Sequence, residues 1–502
     1  VLGDGEALAL AFTHGGEGTE PLAGEENPDL SEKGYVFVLR NSGEPELIPC
    51  EALPGLASRF DLFTESLPAG RMRRGAWHAS AQVRGVEGLP SGGGAEVPKA
   101  ERLSPEEMES FWEDQSKAMR ETLWDPLMQS GVLKGAERIL LATAGDLHNL
   151  PFEPGREAAG APEMVHVNSL AMFALGRGLY KQTGKGKAAP RRASATDATA
   201  PKRTRAAMLC HPGDRPDDPG YLKFAEAERD AAQALWAETL GADAVTSASG
   251  YPWGETGDTV DLLHVACHGD VLKEQDRTPR PVMRLAPSGE DDSGIIGERE
   301  YLRGPKAREV LMNICVGGQV FDDSFDGNPT GLVAGALRHG AHTVVASLPP
   351  VPDEHGYVFG VLVTLLMTRR GLSLAAATGV AKRVMARTPR TEDKAEDLIR
   401  MLHETRAKLL FPLMAKPPEY RERQIANLLD EIHRAGKHPG LAWLSEDLAA
   451  RILADPPASL EDLTTLIAET TPLISDRARS PAADGIITYG ITTFGDPEND
   501  RE

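Results

Sequence analysis

The chain is 502 residues long, carries a formal net charge of −21 and is 41% hydrophobic, which gives room for two to four domains with ample core. The acidic balance excludes a nucleic-acid binder that works through phosphate contacts, and it disfavours adhesion to anionic membranes. The longest apolar run, Tyr357 to Met367, is interrupted by Gly360 and falls short of the roughly 18 residues a spanning helix needs.

Residues 1–180 read as a first α/β unit. Ala7–Phe12 and Tyr35–Leu39 have strand character, and Asn41-Ser42-Gly43 is a turn signal after the second. Ser104-Pro105-Glu106-Glu107 is a capping box that opens an amphipathic helix through Leu123, and a strand follows at Ile139–Thr143. Leu2 to Phe12 already reads as a strand, so a segment upstream of Val1 is expected. Residues 181–206 are small or basic, with few candidates for a core, and read as a basic disordered linker. This linker is either a solvated connector or a processing site or partner-binding loop, with Arg192, Arg203 and Arg205 as the positions where a cut would fall.

Residues 207–389 alternate strands with helices, which implies a mainly parallel sheet flanked by helices. Residues 390–483 have helical apolar spacing broken by Pro417-Pro418 and Pro456-Pro457, and Ser459-Leu460-Glu461-Asp462 is a helix start; this block is a helical insertion. Residues 484–502 return to the sheet with a final strand at Ile486–Asp496.

Two stretches carry the chemistry. Asp261–Asp270 and Glu309–Gly318 are apolar runs of the length of buried parallel strands, each stopped by glycine. Crevices in parallel sheets lie beyond the carboxyl ends of the strands, so His268 and Cys315 are expected to emerge together. A histidine beside a cysteine is the minimum for thiol-based nucleophilic catalysis. Strand alternation puts His264, Ala266 and His268 on one face and Val265 and Cys267 on the other. Cys267 therefore points away, and a zinc site built from His264, Cys267, His268 and Cys315 fails on the same geometry. The four cysteines, Cys50, Cys210, Cys267 and Cys315, include no CxxC pair, which suits a reducing cytoplasm better than a disulfide framework. No cofactor or metal is expected: a nucleotide-dependent enzyme would want a GxGxxG or GxxxxGK[ST] loop and a serine hydrolase GxSxG, and the sequence has none of them.

His-Val-Ala-Cys-His-Gly at 264–269, followed by Asn-Ile-Cys at 313–315, resembles the CHAT peptidases, caspase-like cysteine proteases related to separase. Gly331–Leu337 with Gly340–Leu348 resembles the family's next helix and strand, and Leu140–Phe152 resembles the strand and loop before the protease half. The chain departs from the family in having Asn-Ile-Cys where Ser-Ala-Cys is frequent, and Pro349 where tryptophan is. The resemblance implies a caspase-like protease domain over 207–389 and 484–502, with residues 1–180 as an inert, pseudo-caspase-like unit. It implies Cys315 as nucleophile, His268 as proton carrier, and the amides of Gly269 and Cys315 as oxyanion hole. It also implies Asp353 as the carboxylate that holds an arginine or lysine side chain before the cleaved bond; the other reading of Asp353 is a helix N-cap, and Asp322, Asp323 and Asp326 in the acidic loop after Cys315 are a fallback for the pocket. The expected partners are a protein substrate and an upstream sensor or activator, in some relatives within bacterial defence, with no nucleic acid or membrane contacted. The competing expectation is a catalytically idle scaffold.

Overall fold

The computed structural model describes residue 2 and residues 5–14, 33–41, 44–66, 111, 114–156, 159–167, 202–214, 221–252, 258–272, 280–287, 293–322, 329–351, 353–385, 395–434, 443–471 and 490–495. The capping box at Ser104, the linker over 181–201 and the first part of the expected final strand lie outside these residues.

The N-terminal strands are β1 (Glu6–His14), β2 (Lys33–Arg40), β3 (Glu46–Pro49), β4 (Arg138–Thr143) and β5 (Glu163–Val167). Alternation shapes β1: Ala7, Ala9 and Ala11 enter one core with Val36 and Val38, while Leu8 and Leu10 pack on the other face. Helix α1 (Leu53–Ser66) and α2 (Asp125–Ser130), which continues a helical run from residue 114, cover the first face.

The C-terminal strands are β6 (Ala206–His211), β7 (Val245–Ala248), β8 (Thr259–Leu272), β9 (Arg280–Arg284), β10 (Ile295–Ile296), β11 (Lys306–Asn313), β12 (Phe321–Asp322), β13 (Pro329–Thr330), β14 (Thr343–Ser347) and β15 (Ile491–Gly495). One 13-stranded sheet runs β10-β9-β8-β11-β14-β15-β5-β4-β1-β2-β3, with β6 on β8 and β7 on β6. The two units are therefore continuous. Strand β15 joins them, antiparallel to β14 and parallel to β5.

Helices α3 (Lys223–Leu240), α4 (Glu298–Tyr301), α5 (Leu332–Arg338), α6 (Asp353–Arg370) and α7 (Leu374–Met385) flank this half. Every residue of α6 from Asp353 to Met367 is buried, and from Tyr357 to Met367 the helix is apolar on nearly every side, as a helix within a core is. Gly360 lets it approach the sheet, since a side chain there would strike the Glu228 carboxylate and come within 2.9 Å of Asn313 Nδ2.

The insertion forms α8 (Ala395–Met414), α9 (Pro418–Arg434), α10 (Glu446–Ala454) and α11 (Leu460–Thr470). Ser459 and Asp462 close a reciprocal cap at the start of α11, as the sequence predicts. The insertion is not an appendage: Leu398, Leu402, Leu463 and Ile467 share one core with Phe224, Tyr357 and Leu362.

Two sequence expectations are corrected. Residues 202–205, expected as the end of the linker, are held in place. Arg203 forms a buried ion pair with Glu309 at 2.5 Å and lies over the Trp236 ring, while Asp261 accepts from the amides of Thr204 and Arg205. A cleft cannot take Arg203 in extended form from that position. The expected irregular stretch 273–300 also contains β9, β10 and α4.

Candidate active site

Strand β8 does not stop at Gly269. It continues to Leu272 because, beyond Cys267, it exchanges its parallel neighbours for antiparallel β9, with His268 opposite Arg284. His268 thus stands where parallel pairing ends and a hairpin begins. In the parallel β8–β11 ladder Lys306 faces Thr259 and Asn313 faces Ala266, a constant offset of 313 − 266 = 47. Cys315 is 315 − 268 = 47 residues from His268, the same offset, so the two occupy matching positions two residues past the last pair of the ladder. Gly269 completes the approach. A Cβ there would lie far inside contact distance of the Cys315 carbonyl oxygen and 3.2 Å from its nitrogen, so any larger residue would push the two backbones apart.

Cys315 sits in the turn after β11. The next residue, Val316, has φ 48°, a left-handed conformation that costs a β-branched residue strain and clusters at functional sites. The turn is tied down by Gly318 N–H donating to Ser347 O at 2.8 Å and Gln319 N–H to Val316 O at 3.1 Å. The Cys315 Sγ accepts from Val351 N–H at 3.2 Å and lies 3.5 Å from Val351 O. Both candidate side chains are buried, Cys315 at 1% exposure and His268 at 2%.

Beneath them is a polar cluster that sequence reasoning missed. Glu228 Oε1 accepts from Asn313 Nδ2 at 2.6 Å and lies 2.6 Å from His264 Nε2, and Asn313 Nδ2 also donates to Gly356 O at 2.5 Å. Helix α3, strands β8 and β11, and helix α6 are thereby linked under the candidate pair. The sequence signal was available: Glu228 stands on the apolar stripe Phe224, Ala232, Leu235 and Trp236, where a carboxylate calls for a buried partner. Alternation is obeyed on the other face, where Cys267 packs with Leu263, Val265 and Met312.

Asp353 is buried at the first turn of α6, and its Oδ2 accepts from Phe224 N–H at 2.8 Å, at the start of α3. It lies two residues beyond Val351, which touches the Cys315 thiol. Burial depresses the neighbouring Lys223 ammonium, and the Asp353 carboxylate opposes that shift. The side chains of Asp322, Asp323 and Asp326 lie outside the described residues. At the edge beside His268, Arg284 pairs with Asp214 at 2.6 Å, and Asp214 lies 3.4 Å from His211. Burial depresses His211, with Asp214 acting against it.

Among the described residues no group of three or more His, Cys, Asp or Glu could hold a metal ion, and no helix is long and apolar enough to cross a membrane. A model of the CHAT domain family matches residues 113–423, more than half of the chain, and no curated protein matches it.

Proposed function

The chain belongs to the CHAT domain family, which is related to the caspase-like cysteine peptidases, and on that premise we propose that it is an endopeptidase cutting a protein substrate after arginine or lysine. The observation that carries the reading is the shared 47-residue offset of the ladder and of the His268–Cys315 pair. In this reading Cys315 attacks the scissile carbonyl carbon as thiolate, forming a C–S bond and a tetrahedral oxyanion. The amides of Gly269 and Cys315 receive that oxyanion. His268 gives a proton to the leaving amine as the C–N bond breaks, then helps water hydrolyse the thioester. Asp353 holds the cationic side chain before the cut.

The burial of both Cys315 and His268 supports a further element of the reading: the site is closed at rest and opens when a sensor or partner engages it. The same burial favours one rival, an idle scaffold of caspase-like shape. Peptide libraries incubated with wild type and Cys315→Ala, with and without candidate activators, separate them. Cuts after arginine or lysine in the wild type alone are expected. Absence of cuts and of activity-based labelling at Cys315 under every activator establishes the scaffold.

A further inference from the structure

The N-terminal unit reaches into the active site of the other unit through one side chain. The turn at Gly145–Asn149 follows β4 and is fixed in its own core by Leu147 and Leu150, both buried at either side of Asn149. Asn149 Oδ1 accepts from Val320 N–H at 2.9 Å, across 171 residues of sequence. Val320 closes the turn that begins at Cys315, and the rest of that turn rests on the seam between the units. A side chain at Gly318 would come within 3.2 Å of the Ser347 carbonyl and 3.3 Å of the Phe494 ring, and Phe494 meets His166 of β5 at 5.5 Å. An ion pair, Lys382 with Glu153 at 2.9 Å, holds the same seam.

The turn after Cys315 is strained at Val316, so its conformation depends on fixed neighbours at both ends. One end is anchored by β11 and the other by Asn149. We propose that Asn149 is a positioning residue for the Cys315 turn, and that the N-terminal unit controls the nucleophile through it. The inference rests on Cys315 being the nucleophile. It also gives the N-terminal unit a role in catalysis without a reactive pair of its own. A partner that shifts β4 or its turn moves Val320, and Val320 is five residues from the thiol.

The test replaces Asn149 in the full chain and reads the turn directly, with no substrate required. In Asn149→Ala, amide exchange over residues 317–321 is expected to rise about fivefold or more, the worth of one lost hydrogen bond. Cys315 should be alkylated by iodoacetamide at least about threefold faster as its turn loosens. Cys267 on the opposite face should not change. Peptide cleavage, where the wild type shows it, should fall about tenfold, with kcat affected more than KM. Asn149→Asp keeps an acceptor and should restore the wild-type values. If Asn149→Ala fails to fold, Asn149→Gln, which moves the amide by one methylene, carries the same expectations. Unchanged exchange and Cys315 alkylation overturn the proposal. So does faster alkylation of Cys267 in step with Cys315, which is the mark of general loosening. A wild type that cuts nothing under every activator removes the peptidase reading but leaves the exchange and alkylation results to decide this one.

Discussion

In the N-terminal unit, β4 runs to Thr143 and hands over to a turn that carries a buried histidine; in the C-terminal unit, His268 lies on β8 and Cys315 in the turn after β11, at the offset of the ladder between those strands. The outcome differs because of where the cysteine lies. His148 Nδ1 meets Thr143 Oγ1 at 2.9 Å. The unit's cysteine, Cys50, follows β3 at the far edge of the order β4-β1-β2-β3. Three strand spacings, about 14 Å, separate the two columns. Burial also pushes the Cys50 thiol up to about 12, which keeps it protonated and unreactive. A histidine past the end of a parallel-paired run is thus common to both units, and the 47-residue offset of the β8–β11 ladder sets a cysteine at the matching position in the second alone.

The comparison breaks most sharply at glycine. Gly269→Ala would press a methyl into the Cys315 backbone, and cleavage should fall by at least about a hundredfold, the usual cost of a misplaced reacting group. Gly145, at the matching turn of the other unit, has φ 59° and open space around its Cα. Gly145→Ala should therefore cost only about 1–2 kcal/mol of backbone strain and lower turnover far less than Gly269→Ala does. Paired activity assays and melting curves check both. Equal losses of activity would mean that Gly269 matters for folding rather than for bringing the motifs together.

This asymmetry also marks what was legible in the sequence. The apolar runs around His268 and Cys315, their order, and the alternation that turns Cys267 away all follow from periodicity, so the α/β class and the candidate pair could be read directly. The extension of β8 to Leu272 could not, because its partner β9 lies in a polar stretch without strand-like alternation. Nor could the fixing of Arg203: its partners Glu309 and Trp236 are 106 and 33 residues away, and local composition looks solvated. Asn149 was visible only as part of a motif, since its partner is a backbone amide that carries no sequence signal.

Asp353 sharpens the comparison at the level of specificity, since it stands in the C-terminal unit alone. Asp353→Asn keeps an acceptor for Phe224 N–H, so the start of α3 should survive while the charge is lost. Cleavage after arginine should weaken about ten- to hundredfold, the worth of a charge-assisted hydrogen bond of roughly 1.5–3 kcal/mol. Steady-state kinetics on matched arginine and uncharged peptides measure it. An unchanged arginine preference moves the pocket away from Asp353.

The seam between the units gives a smaller effect, through pH. Burial between Phe152 and Phe494 depresses His166 to about 3; Glu153 opposes this, and Lys382 and His148 reinforce it. The unfolded chain takes up that proton near the ordinary value of about 6.5. Between the two values the unfolded state holds more protons, so stability is full above about pH 6.5 and is lost as pH falls towards 3. From pH 7 to 5 this one group should remove about 2 kcal/mol. His403, lowered to about 4 by burial and by Arg406, adds a similar loss within the helical block. Denaturant titrations of wild type and His166→Phe at several pH values should give a shallower slope for the variant. Identical slopes would mean that His166 is protonated in the fold.

The smallest effect tests alternation itself. Cys267 is adjacent to His268 in sequence, yet its side chain belongs to the core with Leu263, Val265 and Leu285, and its Sγ lies 3.5 Å from its neighbour's carbonyl oxygen. Cys50 is equally buried, in the core of the other unit. Removing a small buried sulfur should cost each unit about 1 kcal/mol of stability, for the packing lost. Turnover should stay within about twofold of wild type for both Cys267→Ala and Cys50→Ala, because neither thiol faces the site. Sequence proximity alone would make Cys267 the greater hazard; sheet geometry makes the two equal. Kinetics on the pair, alongside Cys315→Ala, decide which view is right. A Cys267→Ala enzyme that has lost its activity while Cys50→Ala retains it would show that β8 presents its other face to the substrate, and the nucleophile would have to be reassigned.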